Sequence, residues 1–238
     1  MQHFLDRLAS LWLKNIHPRI NSFIAFFGVG WLVICVLTAY LLIELSDEVL
    51  EQETFAFDKD ILLFIHQFAN PVLDNIMVGI TRIGDPHTVV PLTAVVFCLL
   101  LWKRRFTEAK FFALNAAGGA TLSYFLKLAF SKPRPELWTQ PISEITYSYP
   151  SGHALGSMVL YGFLAYLLAT FYPRYAKVVY AIATCLIIGI GFSRLYLGVH
   201  WPTDIVGGYG IGFLWLSVCV MLMRLEKMKT AQPEELRN

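Results

Sequence analysis

The sequence predicts an all-α fold: a polytopic membrane protein, built as a six-transmembrane-helix bundle with interfacial amphipathic helices. Three observations carry that expectation. Hydrophobic residues fill 56% of the 238 positions and charged residues only 15%, where a soluble domain carries about 25% charged residues. Six apolar stretches, at 23–45, 89–102, 111–130, 154–171, 178–192 and 205–223, approach the roughly 20 residues that cross a bilayer as a helix. Basic residues gather in alternate connections between those stretches, the pattern of cytoplasmic loops.

At the start of the chain Phe4, Leu5, Leu8, Leu11 and Trp12 recur at helical spacing, with Asp6, Arg7 and Lys14 elsewhere. Residues 1–20 are therefore expected to lie on the cytoplasmic leaflet as an interfacial segment. The same charges, with Arg19, break up any signal-peptide core. After the first span, the 46–86 connection is acidic: Asp47, Glu48, Glu51, Glu53, Asp58 and Asp60 stand against Lys59 and Arg82. It is expected outside, with Phe57, Ile61, Leu62, Phe64, Ile65 and Phe68 forming an outer interfacial helix. The 89–102 stretch is short and is expected to reach back through His87. In 111–130, Asn115, Gly118, Gly119 and Ser123 suit close helix packing rather than lipid contact. Residues 225–238 read as a cytoplasmic tail, and 1–238 as a single membrane-embedded domain.

Loop charges set the orientation. Arg7, Lys14 and Arg19, then Lys103, Arg104, Arg105 and Lys110, then Arg174 and Lys177, and finally Arg224, Lys227, Lys229 and Arg237 are all expected inside, with both termini. A net charge of +2 is too small to suggest a nucleic-acid partner. Cys35, Cys98, Cys185 and Cys219 sit in apolar stretches without metal-ligand or disulfide spacing and read as buried apolar residues.

Three short stretches carry chemistry, and on this map all three fall on the outer face. Lys127 closes the third span, and Arg134-Pro135 follows across a proline-rich turn. Pro150-Ser151-Gly152-His153 opens the fourth span, where helix N-terminal N–H groups attract anions and Ser151 adds a hydroxyl. His153, in the first turn, is placed to protonate a departing oxygen. Arg194 stands near the end of the fifth span, where an unpaired guanidinium is expensive and a phosphate would account for it. His200 and Asp204 are four residues apart at a helix start marked by Pro202, so the carboxylate can fix one imidazole nitrogen and leave the other to attack. Lys132 reads as peripheral, snorkelling to headgroups. Trp138, Tyr147 and Tyr149, in the loop before Pro150, read as interface anchors.

Together these residues resemble the signature of the type-2 phosphatidic acid phosphatase superfamily. The signature reads Lys-x6-Arg-Pro, Pro-Ser-Gly-His and Ser-Arg-x5-His-x3-Asp, and every fixed position is present from Lys127 to Asp204. The resemblance implies a membrane lipid phosphatase in which His200 becomes a phosphohistidine, Asp204 orients it, and His153 protonates the leaving group and then assists water. Lys127, Arg134, Ser151, Gly152 and Arg194 would hold the phosphoryl oxygens, with no metal ion and no other cofactor. Bacterial members of this compact form act on undecaprenyl diphosphate, phosphatidylglycerophosphate, phosphatidate or diacylglycerol diphosphate, and a diphosphate-type lipid is the expectation here. The same first half-reaction would serve a lipid phosphotransferase or a phosphatase of soluble substrates. A lipid transporter or binder would tolerate loss of His153 or His200, and both are present. Vanadate-dependent haloperoxidases share the motifs but not the spans.

Overall fold

The computed structural model describes residues 17–51, 55–142 and 144–231. The amphipathic pattern expected over 1–16 and the end of the tail lie outside them. The described residues form α1 (His17–Glu51), α2 (Phe55–His66), α3 (Pro71–Ile83), α4 (Pro86–Trp102), α5 (Phe106–Phe130), α6 (Gly152–Phe171), a 3-10 turn (Pro173–Tyr175), α7 (Ala176–Tyr196) and α8 (Pro202–Ala231). They contain no strand.

The chain divides into two units between Ile43 and Glu44. In the first, α1 is broken at Gly28, whose φ of 72° and ψ of 152° suit glycine alone. Beyond that break Val33, Ile34, Leu37 and Leu41 are exposed, as a lipid-facing helix requires.

The second unit is organised around α6. Leu155, Val159, Leu160, Phe163 and Leu167 are buried along it. It packs on α5, α7 and α8, while α5 also meets α8 and α4, and α3 lies against α7. Contact between α6 and α8 is backbone-close: a Cβ on Gly208 would stand 2.8 Å from the Ser151 carbonyl oxygen and 3.0 Å from Ala154 Cβ. Polar ties fix the register. Asn115 Nδ2 donates to the Val159 carbonyl at 2.8 Å, and Trp215 Nε1 donates to the Asn115 carbonyl at 3.0 Å, joining α5 to α6 and α8. Such bonds add specificity where apolar burial cannot distinguish a helix from lipid. The four cysteines are free.

Among the described residues, five stretches are long and apolar enough to cross a membrane: Gly28–Glu51, Pro71–Trp102, Gly152–Phe171, Pro173–Tyr196 and Pro202–Thr230. The sixth expected span is α5, whose 25 residues give it the length but whose Glu108, Lys110, Asn115 and Lys127 make it more polar than those five. The 46–86 connection holds more helix than the single amphipathic one expected there. α1 runs on to Glu51, α2 covers the apolar pattern, and α3 follows. Asn70 caps α3 by accepting from Val72 N and Leu73 N at 3.2 and 3.0 Å, and Pro71 takes its first position. α3 and α4 then share one apolar stretch, interrupted only at Gly84 and Asp85.

Because Gly208 meets α6 backbone, Gly208→Ala should destabilise the folded protein by about 1–3 kcal/mol. Nothing lies within 4 Å of a Cβ added at Gly156, so Gly156→Ala should be neutral or better. Thermal midpoints in detergent compare the two directly.

Candidate active site

Four helix ends and two connections meet at one end of the second unit. They are the C-terminus of α5, the N-terminus of α6, the C-terminus of α7, the N-terminus of α8, and the 131–150 and 197–201 connections. The turn after α7 is held from below: Tyr196, Leu197 and Val199 are buried in a cluster with Ile65, Leu73, Met77 and Val78. Gly198 takes φ of 73°, and Gln140 Nε2 donates to its carbonyl at 2.7 Å. This turn delivers His200 to the start of α8.

Asp204 is fully buried and reaches back across the first turn of α8. Its Oδ2 accepts from Trp201 N at 2.9 Å, a third-position carboxylate covering the N-cap amide. The same oxygen lies 3.1 Å from His200 Nδ1 and accepts the Ser148 hydroxyl. Its Oδ1 lies 3.1 Å from Lys132 Nζ. A proton on His200 Nδ1 facing this carboxylate leaves the Nε2 lone pair free, and Arg134 Nη1 stands 3.3 Å from Nε2. Burial, then the positive charges of Arg134, Arg194 and Lys127, hold the His200 pKa well below the ordinary histidine value. The ring is therefore neutral and keeps its lone pair at neutral pH.

The cations converge around that nitrogen. Arg134 is fixed by carbonyls: Nε donates to Thr146 O at 2.7 Å and Nη1 to Val199 O at 2.6 Å. Lys127 Nζ donates to the Tyr147 carbonyl. Arg194 is 1% exposed; its Nη1 donates to Thr81 Oγ1 at 2.8 Å and its Nη2 to Glu144. Ser151 is buried, caps α6 by accepting from Ala154 N at 3.4 Å, and donates its own N–H to the Asp204 carbonyl at 3.0 Å. Gly152 opens α6 beside Lys127: a Cβ there would stand 3.8 Å from Lys127 Cε. His153 Nε2 lies 2.6 Å from Asp85 Oδ1. All eight residues singled out by sequence thus fall at this end of the bundle.

Two expectations are corrected. Lys132 is not peripheral. It is 3% exposed and its ammonium sits between Asp204, Thr203 Oγ1 at 2.7 Å and Asp58 Oδ2 at 3.5 Å, because two buried carboxylates need a cation between them. Tyr149 is not an interface anchor either. It is fully buried, edge-on to Phe130 with centroids 4.7 Å apart. Trp138 stacks on His66 at 3.9 Å, and Tyr147 alone of the three is exposed.

Asp58, Asp85, Glu144 and Ser148 were not found from sequence. Asp58 is fully buried and accepts from Thr203 N at 3.1 Å and Thr203 Oγ1 at 2.5 Å. One signal was available for it: it lies one turn before buried Leu62, on the apolar face of α2. Asp85 carried another, as an ionisable residue inside an apolar stretch. Glu144 meets Arg194 and lies 3.7 Å from Arg134. Burial raises its pKa, but the two guanidiniums outweigh that and hold it ionised below the usual range.

A helical membrane bundle that gathers neutral imidazole, carboxylates and fixed cations at one end defines a class, the membrane-embedded phosphatases of lipid phosphates. The chain belongs to the PAP2 superfamily, which it matches over residues 108–227. It is 31% identical to phosphatidylglycerophosphatase B of Bacillus subtilis over 60% of this chain and 72% of that one. It is 28% identical to an undecaprenyl-diphosphatase of Sulfolobus acidocaldarius over 70% and 78%. The crystal structure of a transmembrane PAP2-type phosphatidylglycerolphosphate phosphatase from Bacillus subtilis matches with a TM-score of 0.76 at 26% identity, over 83% of this chain and 98% of that one.

Removing the buried ammonium leaves Asp204 and Asp58 facing each other. Lys132→Met should therefore cost about 3–5 kcal/mol of stability and most of the activity. Lys110→Met, which breaks an exposed pair with Glu226, should cost under about 1 kcal/mol. Thermal inactivation and phosphate release on the two variants check this.

Proposed function

We propose that this protein hydrolyses a lipid phosphate or diphosphate at the outer membrane face through a phosphohistidine on His200, without a metal ion. The observation that carries the reading is the setting of His200: gripped at Nδ1 by Asp204, with Nε2 beside Arg134, while burial and the charges of Arg134, Arg194 and Lys127 disfavour a proton on the ring. Nε2 attacks phosphorus, the bond to the leaving oxygen breaks, and His153 supplies that oxygen with a proton. Water then attacks the phosphohistidine, His153 takes its proton, and the P–N electron pair returns to Nε2. Lys127, Arg134 and Arg194, with the Ser151 hydroxyl and the Gly152 N–H, bind the equatorial oxygens. Phosphoryl transfer needs little more than such positioning and charge.

The substrate class is supported by the relatives, one named for phosphatidylglycerophosphate and one for undecaprenyl diphosphate. The outer placement is supported by the helix order. The site connections 131–150 and 197–201 lie at the opposite helix ends from the basic 103–105 and 172–175 connections, and basic connections favour the cytoplasm.

Phosphate release by the purified protein in EDTA tests the proposal, with undecaprenyl diphosphate, diacylglycerol diphosphate, phosphatidylglycerophosphate and phosphatidate as substrates. At least one should be hydrolysed with EDTA present, and His200→Ala should lose more than about 10³-fold. Activity that needs added metal, or that survives in the variant, would contradict the mechanism. Release only when an acceptor lipid is supplied would make the protein a phosphotransferase.

A further inference from the structure

The site contains a second aspartate–histidine pair. Asp85 Oδ1 lies 2.6 Å from His153 Nε2, joining the turn between α3 and α4 to the first turn of α6. Asp85 stands at the N-cap of α4 with extended φ and ψ of −69° and 149°, an ordinary post for an aspartate, yet its carboxylate makes no capping bond to that helix. It is turned to the histidine instead. The turn is built for close approach: a Cβ on Gly84 would stand 2.9 Å from His153 Cδ2 and 2.8 Å from Ile190 Cγ2. Tyr161 OH donates to the Ile83 carbonyl at 2.7 Å, so α6 grips the same turn a second time, two helical turns beyond His153. Thr88 N and Val89 N both donate to the Asp85 carbonyl at 2.9 Å and fix its backbone.

We infer that Asp85 is a positioning residue for His153: its carboxylate holds Nε2–H, presents Nδ1 to the leaving-group oxygen, and supports the imidazolium before it gives up its proton. This rests on the acid role proposed for His153. The two pairs then have opposite duties. Asp204 holds a ring that must stay neutral to attack. Asp85 holds a ring that must carry a proton on Nδ1 as the leaving oxygen departs, and its carboxylate opposes the burial of that ring and the charge of nearby Arg194, both of which disfavour the imidazolium. In the first step the Nδ1–H proton passes to the leaving oxygen as the P–O bond breaks, and Nε2–H stays on Asp85. In the second step water returns a proton to Nδ1. Asp85 does not itself change protonation, and it touches no reacting atom.

The distinguishing readout is dependence on the leaving group. Phosphatidate must expel an alkoxide and needs the proton, whereas diacylglycerol diphosphate expels phosphate and needs it far less. Asp85→Asn should lower kcat on phosphatidate by about 10–100-fold and on diacylglycerol diphosphate by less than about 3-fold. Asp85→Glu should recover part of the phosphatidate loss. His153→Ala should show the same selectivity, larger, and adding Asp85→Asn to it should cost nothing further. The ratio of the two activities is independent of the fraction of protein that folds, so a poorly folding variant still gives an answer. Selective loss in His153→Ala with equal losses in Asp85→Asn would overturn the role of Asp85 alone. Equal losses in His153→Ala would overturn the acid role and this inference with it.

Discussion

The buried carboxylate of Asp204 is the contact on which the rest depends. An ionised group with no solvent around it must be fully paired or it costs several kcal/mol. Here the Trp201 N–H, the Ser148 hydroxyl, the His200 ring and the Lys132 ammonium share that task. The partners come from two separate pieces of chain. Trp201 and His200 define the entry to α8, and Ser148 and Lys132 come from opposite ends of the connection between α5 and α6. Lys132 passes the constraint on to Asp58 in α2. The satisfaction of one carboxylate therefore sets the helix start, the fold of the connecting loop, the docking of α2 and the tautomer of His200 at once.

Around that contact the site concentrates positive charge. Lys127, Arg134 and Arg194 repel one another, and the protein offsets this with the carbonyls of Thr146, Tyr147 and Val199 and with the Glu144 carboxylate. The same field has two effects on chemistry. It disfavours a proton on His200, so the proposed nucleophile would require no deprotonation at neutral pH. It also favours an anion with oxygens directed toward the guanidiniums, since arginine presents donors in a planar fork. In the proposed reaction, one charge distribution would bring a neutral nucleophile and an anionic electrophile together.

Much of this was legible in the sequence, because the information was local. The apolar stretches at 154–171 and 178–192 became Gly152–Phe171 and Ala176–Tyr196. The helices outran the 111–130 and 205–223 stretches because hydropathy marks only the lipid-crossing part, as in Pro202–Ala231. The motif residues could be singled out, and they fall together, because each motif is short and lies at a helix end, where spacing of four or seven residues constrains geometry. Asp58, Lys132, Asp85 and Glu144 depend instead on distant partners: Asp58 and Thr203 are 145 residues apart, and Asp85 and His153 are 68 apart. No local pattern reports such pairings, and for Lys132 the local pattern misled, since a lysine near a span end ordinarily snorkels. α3 was overlooked for a different reason: its Asn70-Pro71 start signal stood within a connection read for its acidic charge and for one amphipathic helix just before it.

The central claim is the covalent bond to His200. The most direct measurement is rapid alkaline quenching of the protein during turnover of a lipid carrying ³²P in its terminal phosphate, with the His153→Ala variant used to slow the second half-reaction. The account predicts protein-bound label that is stable in base, labile in acid, located by peptide mapping on His200, and absent from His200→Ala. Turnover with no protein-bound label in His153→Ala, or label on another residue, would contradict it.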